Sequence, residues 1–299
     1  MDAFLTSRNV SDILFGLVNG VVYGLVGLGL VLIWRATRVL NFALGAIATA
    51  GAYLGLGLLS FHVPFWWCFL LCIPAGMVLG GLTERLLVRP LYGKPEINPI
   101  VAMVGLLILI EAVVGSIWGT QNRSVLPPFS YVDFHLGANV VKLSPLALFQ
   151  VSCAVVLALA IGALFRFTNL GLQLRASAVA PEVSRLLGVR VSRMLTLGWM
   201  LACGVAAVAA VIVSSGFISG LTPSGMEGPF AAGFIAAAVG GLESPSGALV
   251  GGISLGILEA FVTDYFNPNL VLPYSLLVLV VVLMVRPHGL FTRQVVRRV

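Results

Sequence analysis

Charge is what this chain of 299 residues has least of: 9% of its residues are charged, against 59% hydrophobic. A soluble domain carries about a quarter charged residues. So few charges cannot cover a water-facing surface, which excludes a soluble globular protein, and a mean hydropathy of +1.07 agrees. Alternation is missing too. A membrane β-barrel needs segments of about ten residues that alternate apolar and polar, whereas these apolar runs are continuous and rich in Leu, Val, Ala and Gly. The expectation is an all-α, polytopic transmembrane helical bundle, one domain over residues 1–299. No cleavable signal peptide is expected, because Asp2 and Arg8 precede a first apolar run that continues as a full span.

Catalytic equipment is equally sparse. His62, His135 and His288 stand far apart at the ends of apolar runs, with no H-E-x-x-H motif and no Cys/His cluster. The only lysines, Lys94 and Lys142, lie outside any G-x-x-x-x-G-K-[ST] pattern, so no such loop binds ATP in this chain. No clustered nucleophile, acid or metal set speaks for a membrane enzyme. Cys68, Cys72, Cys153 and Cys203 all sit in apolar runs. Cys68 and Cys72 share a helix face but have no polar co-ligands, and all four read as small packing residues.

What is present is a ladder of apolar segments, at roughly 12–33, 41–61, 66–83, 97–118, 145–165, 194–214, 229–241, 247–263 and 270–285. Most approach the ~20 residues that cross a bilayer. The two either side of "GGLESPSG" are short and read as broken or tilted helices, their irregular backbone covered by protein. About eight or nine spans follow. The net charge of +6 reads as cationic loops on the cytoplasmic side rather than as affinity for nucleic acid. With the N-terminus outside, the inner loops hold Arg35 and Arg38; Arg85, Arg89 and Lys94; Arg166, Arg175, Arg185, Arg190 and Arg193; and Arg286, Arg293, Arg297 and Arg298. That is fourteen of the seventeen basic residues, leaving Arg8, Arg123 and Lys142 outside and the C-terminus in the cytoplasm. The outer loop at about 119–144, with Pro127-Pro128, is either a solvated connector or a docking surface for an external partner.

Glycines recur at fourth positions: Gly16, Gly20 and Gly24; Gly51 and Gly55; Gly76 and Gly80; Gly252 and Gly256. Such faces let helices approach closely, within the bundle or at a subunit interface. Glu111 is the clearest intramembrane acid, with Glu259 and Asp264 nearer a span end; acids there either pair structurally or line a path.

One stretch breaks the apolar pattern: "RASAVAPEVSRLLGVRVSR", residues 175–193. Pro181 suits the first turn of a helix, Glu182 complements its dipole, and Gly188 fits the position after its end. Val183, Leu186 and Leu187 share one face. Together with Arg185 and Arg190 this reads as a capped amphipathic helix of about two turns. Alone it is unstable, so it packs on headgroups, on the ends of its own spans, or on a cytosolic partner.

With this stretch and with others from residue ~15 to ~293, the chain resembles the permeases of branched-chain amino acid ABC transporters. "RASAVAPEVSRLLGVRVSR" and the Ala-rich span after it resemble that family's cytoplasmic loop. "VLNFALGAIATAGAY" resembles its N-F-A-x-G segment, "TERLLVRPLYG" its E-R-x-x-x-R-P loop, "AAVGGLESPSGALVGGISLGILEAF" its glycine-rich element, and "VLMVRPHGLFTR" its R-P-x-G-L-F-G ending. The match is closer to the shorter of the family's two permease types. Leu44 and Ala46 replace polar residues of the family pattern, and Glu243 replaces its usual glycine.

The resemblance implies a permease subunit of an ATP-driven importer, in the bacterial cytoplasmic (inner) membrane, working by alternating access. The chain itself is then no enzyme and carries no cofactor. ATP and Mg are bound by two cytosolic ATPase subunits, a second homologous permease makes a heterodimer, and a substrate-binding protein docks outside. The loop at about 166–193 becomes the coupling loop, with Pro181–Leu187 seated in an ATPase groove and Arg185 and Arg190 pairing with acids at its rim. The pathway is expected along segments 41–55 and 229–256, with Asn41, Phe42, Leu44, Gly45, Gly240, Gly241 and Gly247 as candidate lining. A stand-alone secondary carrier or channel is the alternative. It calls for intramembrane charges or two matching halves with broken helices.

Overall fold

The computed structural model describes residues 7–58, 62–95, 97–123, 134–136, 139–143, 145–215, 220–287 and 289–291. Half of the 119–144 loop, including Pro127-Pro128, and His288, Arg293, Arg297 and Arg298, fall outside the described residues, as do the side chains of Arg8, His135 and Lys142.

The described residues are all-α apart from one small hairpin. Helices α1 (Ser7–Thr37), α2 (Leu44–Leu56), α3 (Phe65–Thr83), α4 (Ile97–Trp118) and α5 (Pro145–Phe167) come first. Two short helices follow, α6 (Asn169–Val179) and α7 (Pro181–Leu186), then α8 (Val191–Ser214), α9 (Glu227–Gly240), α10 (Pro245–Tyr265) and α11 (Val271–Val285). Between α4 and α5, β1 (Phe134–Leu136) pairs antiparallel with β2 (Asn139–Leu143). Among the described residues seven helices are long and apolar enough to cross a membrane, while α2 and α9 are shorter. Each of the nine expected segments is therefore a helix. Two elements had no place in the sequence reading: the hairpin, and α6, which Thr168 starts by accepting a hydrogen bond from Gly171 N at 3.0 Å.

Glycine decides how the helices meet. A Cβ on Gly20 of α1 falls 2.7 Å from Gly252 O and from Ile253 Cα of α10, and Gly16 meets Gly256 in the same way. The two helices thus run antiparallel, backbone against backbone. Gly51, Gly76 and Gly80 do the same for α2, α3 and α8: a Cβ on Gly76 falls 2.7 Å from Cys203 O. All the fourth-position glycines singled out in the sequence accordingly pack within this bundle. Cys68 and Cys72 share a buried face, the Cys72 thiol 3.1 Å from Cys68 O, and Cys203 is buried beside Gly80.

Two helices start deep in the bundle. Leu44 meets Gly29 of α1 eight residues before the end of α1, or roughly 12 Å at 1.5 Å per residue. The segment before α2 therefore climbs back in as non-helical chain, which is why the expected 41–61 span becomes helical only at Leu44. Asn41 fixes that segment, its Oδ1 accepting from Ala43 N at 3.0 Å. Helix α9 starts beside α2: a Cβ on Gly45 falls 3.3 Å from Met226 O. In contrast α3 runs longer than expected. It continues through a π-helical turn (Glu84–Val88) and a 3-10 turn (Arg89–Leu91), where Pro90 ends it.

Candidate functional site

Two places on this scaffold carry chemistry. The first is a cavity of ≈ 90 Å³ where the starts of α2 and α9 converge. Phe42, Gly45, Ala46 and Thr49 present one face of α2 to it, Leu107 and Glu111 one face of α4, and Pro223, Met226, Glu227 and Phe230 the approach and first turn of α9. The α9 approach is held from the far side, because Leu221 and Arg123 exchange backbone hydrogen bonds at 2.8 and 3.1 Å while Tyr53 donates to Leu221 O at 3.1 Å.

The cavity wall is apolar but for three side chains. Glu111 and Glu227 stand close enough to interact electrostatically. Glu227 lies in the first turn of α9, where the helix dipole favours a carboxylate. Thr49 is 2% exposed and its Oγ1 has no hydrogen-bond partner, an arrangement that ordinarily costs free energy. Glu227 itself is exposed, so the cavity opens on that side.

Of the candidate pathway residues, Phe42 and Gly45 line this cavity together with Glu111. Asn41 and Leu44 lie beside them and are fully buried, Leu44 against α1. Gly240, Gly241 and Gly247 lie elsewhere. Gly240 and Gly247 form the tight backbone contact between α9 and α10, and Gly241, at φ +100°, turns the chain between them. Thr49 and Glu227 escaped the sequence reading. The available signal was the acid at the head of a glycine-rich apolar run, which reads equally as a span boundary.

The second place is α7, at the end of the bundle that gathers most of the basic residues. Pro181 opens the helix and Glu182 sits in its first turn. Gly188 closes it at φ +81°, its N–H donating to Arg185 O and that of Val189 to Ser184 O; these two bonds form a Schellman cap. Ser184 faces inward and is buried, while Val183, Leu186 and Leu187 face out, the leucines 88% and 79% exposed. Arg185 and Arg190 are exposed beside them.

Next to α7 the start of α8 is fastened to the end of α3. Glu84, fully buried, accepts from Arg89 Nε and Nη2 at 3.2 and 2.9 Å, from Thr196 Oγ1 at 2.7 Å and from Tyr92 OH at 3.3 Å. Burial and the neighbouring Glu84 push the Tyr92 phenol up from its ordinary value, so it remains a donor. At the same end Arg38, at φ +57°, reaches Glu243 at 2.6 Å. The acid that replaces the usual glycine thus ties the α1–α2 link to the α9–α10 turn.

A family model described as branched-chain amino acid transport system / permease component matches residues 12–286. The chain belongs to this permease family. It is 28% identical over 302 residues to the high-affinity branched-chain amino acid transport system permease protein BraD of Pseudomonas aeruginosa, covering 95% of this chain and 96% of that one. It is 26% identical over 304 residues to the permease protein LivH of Escherichia coli, with coverage of 95% and 96%. With the probable permease protein LivH of Methanocaldococcus jannaschii it shares 30% identity over 288 residues, covering 89% and 87%. The fold is similar to a chain of PsaBC from Streptococcus pneumoniae in complex with Fab, at TM-score 0.51 and 13% identity, over 96% and 95% of the two chains. Family membership and the long apolar helices make this a multi-pass permease of the bacterial cytoplasmic (inner) membrane.

Proposed function

We propose that this permease is the membrane subunit of an ATP-driven importer for branched-chain or related amino acids, and that it moves them by alternating access. The relatives carry branched-chain amino acid transport in their names. The observation that carries the ATP-driven part is α7, which holds three apolar side chains out of the bundle on a helix opened by Pro181 and closed by its C-terminal cap. Covering two leucines exposed to this degree contributes about 1.5–3 kcal/mol each, and a groove on an ATPase subunit supplies the cover. In this reading α7 lies on the cytoplasmic side, the N-terminus outside and the C-terminus inside.

Hydrolysis then belongs to two separate ATPase subunits that bind ATP and Mg; the chain itself catalyses nothing. A second, homologous permease completes a heterodimer, and a soluble binding protein delivers substrate from outside. The cavity between α2, α4 and α9 opens on one side and is small for an amino acid, as expected of a wall that a second permease completes.

The test is Leu186→Asp with Leu187→Asp, expressed with the partner subunits. Both positions are exposed, so the fold stands. The ATPase subunits are expected to be lost on purification, with ATP-driven leucine uptake down at least about tenfold, a loss of some 1.4 kcal/mol of coupling. Intact association and uptake in this variant refute the proposal.

A further inference from the structure

The cavity between α2, α4 and α9 brings two carboxylates and the start of a helix to one small space. Glu111 and Glu227 supply the carboxylates. The first turn of α2 brings Gly45 and Ala46 to the wall beside Met226 and Phe230, where the N–H groups of a helix start lack intrahelical partners and carry the positive end of the helix dipole. Thr49, one turn further along the same face, also lines the cavity, and its buried hydroxyl has no hydrogen-bond partner. Leu107 and Phe230 make the remainder apolar.

We infer that this cavity is one wall of a binding site for an aliphatic α-amino acid zwitterion. Its ammonium sits at Glu111 and Glu227, its carboxylate at the α2 N-terminus, Thr49 bonds either charged group, and its side chain lies on Leu107 and Phe230. The inference rests on the importer reading and adds the atoms that recognise substrate. A divalent metal fits worse. Such ions take six or more oxygen ligands or a set of several His, Cys or acidic side chains, and no group of three such side chains occurs among the described residues. An organic ammonium needs only the charge-assisted bonds that two carboxylates and a hydroxyl provide.

The test separates the charges of the ligand. Pro223→Cys puts a thiol at the cavity wall of the assembled transporter in lipid nanodiscs, and its rate of reaction with a maleimide is followed against the parent protein. The probes are 3-methylbutylamine, which keeps the ammonium, 4-methylpentanoate, which keeps the carboxylate, and L-leucine. The amine and leucine are expected to slow labelling, and the acid alone to leave it unchanged, because two carboxylates repel it. Glu111→Gln with Glu227→Gln is expected to weaken protection by the amine at least about tenfold, the loss of one charge-assisted contact or more. Absence of protection by the amine, equal protection by amine and acid, or protection unaffected by the two substitutions overturns the inference. The ligand comparison uses the unaltered acids, so it decides even where the double variant folds poorly. Protection by the amine without ATP-driven leucine uptake keeps the site and refutes the importer reading. Full leucine uptake by the double variant does the reverse.

Discussion

Glu84 is the one charged side chain buried completely among the described residues, and each of its contacts has a stated donor. A buried carboxylate is tolerated only when its partners are complete. Here they come from two stretches of chain: Arg89 and Tyr92 just beyond the π-helical turn, and Thr196 from the first turns of α8. The turn is what lets them converge, since it carries Arg89 round to the face of Glu84. Glu84→Ala leaves the Arg89 guanidinium without its counter-ion in a half-buried place and is expected to destabilise the protein by about 3 kcal/mol. Glu84→Gln keeps an acceptor and loses less. Thermal unfolding of the purified protein in detergent checks the order; equal melting temperatures for wild type and Glu84→Ala dismiss the cluster as a fastener. The sequence showed Glu84 and Arg89 only as parts of an E-R-x-x-x-R-P string. Their spacing of five is off the helical three-or-four rule, so a pairing that depends on a π-helical turn was not legible in advance.

At the scale of elements, the glycines of α1 and α10 matter more than any apolar side chain. With no hydrophobic drive between helices in lipid, close packing of backbones is what holds them. A Cβ on Gly256 has backbone atoms of Gly16 and Gly20 in its way, which cannot swing aside as a side chain does, whereas a Cβ on Gly162 of α5 meets nothing within 4 Å. Gly256→Ala is therefore expected to cost about 1–3 kcal/mol by overpacking, and Gly162→Ala to be neutral or to stabilise by up to about 1 kcal/mol. The two variants melting together contradicts the backbone-contact account. Nine apolar segments were readable because a span leaves a composition signal of its own. Where α2 starts was not, because Asn41 and the approach of Leu44 to Gly29 are tertiary facts inside an unbroken apolar run. Helix α6 escaped for the opposite reason: its leucines are broken up by Gly171, Gln173 and Arg175, so it leaves no span-length apolar run, and only Thr168 marks its start. For the cavity, Phe42, Gly45 and Glu111 were legible one by one. Their meeting with Glu227 depends on two helices that begin at the same depth.

For the whole molecule, the internal contacts test whether the basic loops share one side. Helix α1 ends where Ala36 meets Gly198 near the start of α8. The end of α3 joins that start through Glu84 and Thr196, and Arg38 reaches Glu243 in the α9–α10 turn. The chain after α11 returns to the end of α9, Leu290 N donating to Val239 O at 2.9 Å. Arg35, Arg38, Arg89, Arg190, Arg193 and Arg286 thus fall at one end. At the other, Asn9 pairs with Tyr265, Gly57 meets Trp118, and Arg123 pairs with Leu221. The charge bias and the packing divide the chain in the same way, although α2 and α9 are too short to show as spans by length. Positive residues stay on the cytoplasmic face, so the end bearing α7 is expected inside. Glu182→Cys is then expected to react with a membrane-impermeant maleimide only in inside-out vesicles, and Thr120→Cys only in intact cells with the outer surface accessible. Both positions are exposed, and the native cysteines are buried apart from Cys153, so the parent protein sets a low background. Labelling of Glu182→Cys from outside inverts the molecule in the membrane, and with it removes α7 from the reach of any cytosolic ATPase.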